Sequence, residues 1–224
     1  ERAWRTVQTS NPWLWSPFFS PEFTSCVAQV RDDVEVAVIG RADETVGFLP
    51  FQRRRGNTAV PVGFGVSDFH GVIAPVDVAV DVGDLLQGCR LRSFHFDHLS
   101  TERPGFERWA HRAESPAIDL RNGFAAWRRT QQEIHPAGFG QLARKSRRLH
   151  REHACVEYRR HSDDLDVLRT LRAWKSAQHR RADVADVFTH SWARDLLEVV
   201  HATATPTFSG YLSTLRVDGD LAAA

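Results

Sequence analysis

At 224 residues, with 42% hydrophobic and 25% charged side chains, the chain reads as globular and is long enough to bury one large core or two small ones. Its formal net charge of +1 hides an uneven spread. Basic residues crowd positions 121–181, most densely in LARKSRRLHRE, while 76–84 is acidic, so any anion-binding surface is expected in the second half. No apolar run approaches the ~20 residues of a membrane span.

In chain order, residues 3–8 predict a short helix, and Ser20-Pro21-Glu22 marks a second helix start: a serine cap, proline in the first position and an acid in the first turn. Phe23, Val27 and Val30 give that helix an apolar stripe. Residues 34–53 then read as two apolar or alternating runs joined by a short polar connection, a strand-turn-strand pattern. Residues 210–224 repeat the pattern in shortened form. Between them the sequence predicts a strand over 58–62, a glycine-bearing loop over 63–71, a helix over 81–89 and a strand over 92–99. Further strands are expected over 107–113, 117–120 and 156–161, and helices over 124–134, 139–153, 163–182 and 191–202. The connection at Arg121-Asn122-Gly123 is the expected seam, dividing the chain into domains 1–121 and 122–224. The chain starts at Glu1 and contains no methionine, so both ends are expected to be truncations. Residues 1–10 lack the apolar core of a secretory signal, and a cytoplasmic protein is expected. Cys26, Cys89 and Cys155 form no CxxC pair and are expected to be buried thiols.

Four groups of residues are candidates for chemistry. On the basic helix, Phe139, Leu142, Ser146 and Leu149 share one face while Arg144, Lys145, Arg147, Arg148 and Arg151 share the other, a face suited to phosphates or to simple solvation. Nucleic acid is not expected, because no RNA- or DNA-binding motif accompanies the helix. On the 163–182 helix, Val167, Leu168, Leu171 and Trp174 define an apolar arc that, by projection, also holds Lys175 and Gln178; a lysine there either snorkels, pairs with an acid or lines a polar cavity. In the 63–71 loop, Asp68 and His70 are candidate substrate contacts, whereas a triad of Ser67, Asp68 and His70 is a poor reading for residues so close in sequence. Asp97 joins the substrate candidates. No metal is expected at His95-Phe96-Asp97-His98, since an alternating strand turns His98 away from His95 and Asp97.

The segments SPFFSPEF, VGFLPFQRRR, SDFHG, FDHL, RKSRRLHREH and WKSAQHRR, in this order, resemble the GNAT-like acetyltransferases of the cellulose-biosynthesis CelD type, with the tandem organisation of the FemAB aminoacyltransferases. The resemblance spans residues 11–224. It implies an α+β, GNAT-like fold of mixed sheets with flanking helices, one complete unit followed by a truncated one. It also implies an acyl-CoA donor such as acetyl-CoA, and N- or O-acyl transfer to a small-molecule or glycan acceptor in polysaccharide or envelope biosynthesis. On this reading Lys175 and Gln178 are the catalytic candidates, and Asp68, His70, Asp97, Lys145 and Arg148 bind substrate. The family's donor-binding loop would follow the strand begun at Leu221, so the donor segment is expected to be missing and the open hairpin to promote self-association. The alternative is a non-catalytic glycan- or anion-binding module.

Overall fold

The computed structural model describes residues 1–41, 43–99, 106, 111 and 113–224. In chain order it contains α1 (Arg2–Ser10), α2 (Pro21–Val30), β1 (Val34–Arg41), β2 (Glu44–Arg54), β3 (Thr58–Pro61), α3 (Val82–Gly88) and β4 (Ser93–Phe94). There follow α4 (Gly123–Ile134), α5 (Pro136–Glu152), β5 (Val156–Arg159), α6 (Leu165–Arg181), α7 (Ser191–Ala202), β6 (Thr214–Val217) and β7 (Asp220–Ala223). The composition is mixed α+β, as expected. Two compact units divide these elements: Glu1–His111 with Leu168–Gly210, and Arg112–Val167 with Tyr211–Ala224. The first crossing lies near the seam expected at Arg121-Asn122-Gly123, but Leu168–Gly210 returns to the first unit.

The first unit is organised around α2 and β2. Ser20 Oγ accepts from the Phe23 N–H at 3.1 Å, closing the helix start as the sequence requires. One turn on, Phe23, Cys26 and Val27 form a buried face that packs with Val62, Leu196 and Phe208. The 34–54 segment forms the expected antiparallel hairpin, in register from Val34 opposite Gln52 to Arg41 opposite Glu44, with an irregularity between Ile39 and Gly40. Strand β2 is central in the order β1-β2-β3-β4 and is buried on both faces from Gly47 to Gln52. Leu49 and Phe51 enter a core with Ala59, Val72, Ala74 and Leu91, while Phe48 enters another with Trp4, Leu14, Phe19 and Ile73. Full burial of a side chain such as Phe51 stabilises the unit by roughly 1.5–3 kcal/mol.

The expected strand over 92–99 shrinks to two residues. Strand β4 pairs in parallel with β3 only at Thr58 with Ser93 and Ala59 with Phe94. His95 N still donates to Ala59 O at 2.9 Å, but the ladder ends there and with it the strict alternation of faces. Phe94 and Phe96 nonetheless both pack against the core.

In the second unit, β5, β6 and β7 form an antiparallel sheet, and the 210–224 hairpin is present with β6 starting at Thr214. Its turn, Asp218-Gly219, has φ of 51° and 92°, the backbone that a two-residue hairpin loop with right-handed strand twist requires. Asp218 also ties the turn to β5, accepting from Cys155 N and facing His153 Nδ1, each at 2.9 Å. Helices α4 and α5 meet at His135, with Trp127 edge-on to Phe139 at 6.5 Å. Residues 117–120 form no strand: Ile118 and Leu120 lie exposed without a ladder partner. The strand expected over 107–113 falls largely outside the described residues. Of the thiols, Cys26 is buried, Cys89 half-buried and Cys155 exposed, so burial of all three is corrected.

Candidate functional site

The most chemically organised cluster in the structure lies where the 63–71 loop runs beside residues 95–99. The loop is anchored at its start by Gln52, a fully buried amide on β2. Gly63 N–H donates to Gln52 Oε1 at 2.9 Å, and Gln52 Nε2 donates to Asp33 Oδ1 at 2.8 Å. The N–H groups of Val66 and Ser67 then turn back onto Gly63 O. Farther along, His70 N donates to His98 O at 2.8 Å, and His70 bridges Leu99 in parallel. The backbone therefore delivers His70 beside Asp97 and His98.

His70 is 3% exposed, yet both of its ring nitrogens face polar atoms. Nε2 lies 2.9 Å from Ser67 Oγ and 3.1 Å from Ser67 O. Ser67 Oγ itself donates to Val62 O at 2.9 Å. Because a carbonyl only accepts and the hydroxyl hydrogen is already committed, Nε2 carries the ring hydrogen, as the bonding pattern assigns it. In the neutral ring Nδ1 is then a lone pair, and it points at Asp97 Oδ1, 3.2 Å away. His98 Nδ1 approaches the same oxygen at 3.1 Å, and the His70 and His98 rings meet edge to face with centroids 5.9 Å apart. Burial pushes the His70 imidazole below its usual range, opposed by the Asp97 carboxylate.

The expectation that His98 turns away from Asp97 is thus corrected: with the ladder ended at His95, the chain bends and both side chains converge. The spatial line Ser67, His70, Asp97 also has the order of a nucleophilic relay, with Asp97 in the place that the sequence would have given Asp68, which is exposed. Ser67 is nonetheless buried, and its partner nitrogen already carries hydrogen, so in this state His70 cannot take its proton. Sequence reasoning missed Ser67 and His98 as members of the cluster. His95 stands apart, its Nε2 3.0 Å from Ser93 Oγ.

The remaining candidates lie on helices. Lys145 and Arg148 are exposed on α5, and Arg148 Nε donates to Glu152 one turn on, at 2.8 and 3.0 Å from the two carboxylate oxygens. On the apolar face of α5 Leu142 is 62% exposed, while Phe139 and Leu149 are half-buried. Lys175 and Gln178 are brought together, Nζ donating to Oε1 at 3.5 Å, but both are exposed. Their expected place on a core-facing arc is corrected: between Ala173 and Arg180 the half-buried positions are Ser176, Ala177 and His179, the last facing Asp186 Oδ1 at 3.3 Å and stacking on Phe188. The packing face is one position around from the arc that the apolar residues define, which leaves Trp174 42% exposed.

No helix among the described residues is long and apolar enough to cross a membrane. No curated protein and no solved structure matches the chain. Residues 139–224, which take in most of α5 and all of β5, α6, α7, β6 and β7, match the family model described as Acetyltransferase (GNAT) domain, and this segment supports a GNAT-like acetyltransferase.

Proposed function

We propose that the chain belongs to an acyl-CoA-dependent N- or O-acyltransferase of the CelD type, with FemAB-like tandem GNAT units and domains 1–121 and 122–224. It acts in the cytoplasm on an acceptor from polysaccharide or cell-envelope biosynthesis. The observation that carries this reading is the match of residues 139–224 to the GNAT acetyltransferase family model. In such a reaction an acceptor amine or hydroxyl attacks an acyl thioester, and the protein aligns the acceptor, removes its proton and stabilises the oxyanion.

The donor itself is not assigned to residues. A pyrophosphate needs free backbone donors at a helix start, but the helix that next follows β5 is closed by its own acid: Asp166 N donates to Asp164 Oδ1 at 2.9 Å, with Asp163 alongside. In the first unit Asp81 caps α3 in the same way. These two starts repel phosphate, so neither is assigned to the donor and no step is routed through it.

Lys175 and Gln178 are proposed for the acceptor. Adjacent and exposed, they are free to engage a ligand, the amine holding an anionic group and the amide bonding a hydroxyl. Asp68, His70 and Asp97 are proposed as further acceptor contacts, Lys145 and Arg148 as contacts to an anionic group, and the edge of β7 as a surface for pairing with a second copy. The exposed basic face of α5 also favours a second reading, a non-catalytic module that binds glycans or anions. Release of free thiol from acetyl-CoA by the full-length protein, assayed with amine and hydroxyl acceptors, separates the two. Turnover is expected, falling more than tenfold in Lys175→Met with an unchanged melting temperature. Absence of thiol release with every acceptor class refutes the enzyme reading, and full activity of the variant removes Lys175 from the site.

A further inference from the structure

We propose that His70, Asp97 and His98 form a binding site for a zinc-type divalent cation in the first unit. Nothing in this inference rests on the acyltransferase reading, since all three residues lie outside the segment that matches the acetyltransferase family.

Three features of the cluster point to a cation. The first is its geometry: His70, Asp97 and His98 each offer one ligand atom within 4.8 Å of the others, and the Nδ1 atoms of His70 and His98 stand 3.2 and 3.1 Å from the shared Asp97 Oδ1. Bonds of about 2.0–2.1 Å in a tetrahedral array place neighbouring donor atoms roughly 3.3 Å apart, so two edges of the tetrahedron are already close to length. The second is the tautomer. With Nε2–H held by Ser67, the lone pair of a neutral His70 is aimed at the lone pairs of a carboxylate, an arrangement that a shared cation turns from repulsion into coordination. The third is the support behind the ligand. A histidine that binds a metal through one ring nitrogen typically donates its other N–H to a carbonyl or carboxylate, which fixes ring orientation and raises basicity. Here Ser67 O and Oγ occupy that position, and the loop that carries them is pinned by Gln52 at its root.

The donor set narrows the metal. Two imidazole nitrogens and one carboxylate oxygen suit zinc and its late first-row neighbours better than calcium or magnesium, which take oxygen. The site is also open on one side, because Asp97 and His98 are about half exposed while His70 is buried. Three protein ligands with an open side leave a fourth position for water or for a ligand's own donor atom, the pattern of a zinc site that binds something rather than only bracing a fold. Coordination would also clamp the 63–71 loop to residues 95–99 by side chains as well as by the His70 to His98 backbone bond.

The test is zinc binding by the full chain after stripping with EDTA, followed by isothermal titration with zinc chloride and by elemental analysis after dialysis. One zinc per chain is expected, together with a melting temperature that rises with zinc concentration. Asp97→Asn and His98→Ala should each weaken binding by about a hundredfold and the double variant should abolish it, whereas Ser67→Ala, which removes one of the two acceptors for His70 Nε2–H, should weaken it by about tenfold. Asp97 and His98 are exposed, so the stripped variants should melt where the stripped wild type does. Absence of zinc binding by the wild type overturns the proposal. So does equal affinity in wild type and double variant, which would assign the metal to other histidines.

Discussion

Gln52 offers the sharpest test of how the candidate loop is held. Gln52→Met keeps the length and volume of a side chain that is 1% exposed, so the packing of β2 changes little. What is lost is polar. The Gly63 N–H, buried against Gln52 Oε1 at 2.9 Å, is left without an acceptor, at a cost of about 1–3 kcal/mol. Asp33 loses the 2.8 Å donor from Gln52 Nε2, and a hydrogen bond to a charged group contributes about 1.5–3 kcal/mol. Asp33 keeps its ion pair with Arg31, which moderates the second loss. A net destabilisation of about 3 kcal/mol is expected, or about 1 M in the midpoint of urea unfolding if the slope is about 3 kcal/mol per molar. Urea titration followed by far-ultraviolet circular dichroism measures it. Gln52→Glu adds a second arm: its carboxylate still accepts from Gly63 but faces Asp33, so that variant should be weaker at pH 7 than at pH 5. A midpoint within 0.2 M of wild type for Gln52→Met would refute the idea that this amide bridges loop and sheet.

Two further outcomes follow from the same unit. A Cβ on residue 210 would lie 2.1 Å from Val200 O and 2.7 Å from Val200 C, backbone atoms that cannot swing aside, so Gly210→Ala should cost about 3 kcal/mol and lower the melting temperature by about 6–12 °C; an unchanged melt would mean that this close approach does not exist. Burial pushes the Glu22 carboxyl up, but the Thr207 hydroxyl and the Arg5 guanidinium together hold it below its usual value, so its stabilising contribution is present above the ordinary carboxylate range and is lost as pH falls through it. Glu22→Gln should therefore flatten the fall in stability below the ordinary carboxylate range, and an acid limb as steep as wild type would place the titration elsewhere.

What could be read in the sequence was what is decided within a few residues. Ser20-Pro21-Glu22 starts a helix because the cap and the first turn supply their own partners, and Asp218-Gly219 makes a tight hairpin turn because of what those two residues permit locally. The length of β4 is not a local property: it depends on pairing with the distant β3, and that pairing stops at Ala59 although β3 runs on to Pro61. His98 was turned the wrong way for that reason, and its meeting with His70 depends on a backbone bond between distant segments, for which no spacing in the sequence gives a sign. The error at Lys175 has a different source. A helical projection locates the apolar arc but not what covers it, and Asp186 meets Ser176 and His179 instead.

The return of Leu168–Gly210 to the first unit has a bearing on how the protein is made. The apolar face of α2 is synthesised long before two of its buried partners, Leu196 and Phe208, which lie far downstream in the chain. Contacts of such sequence separation close late and slowly. Until they form, part of the face of Phe23, Cys26 and Val27 stays uncovered in the nascent chain, an interval in which a holdase chaperone has a surface to bind.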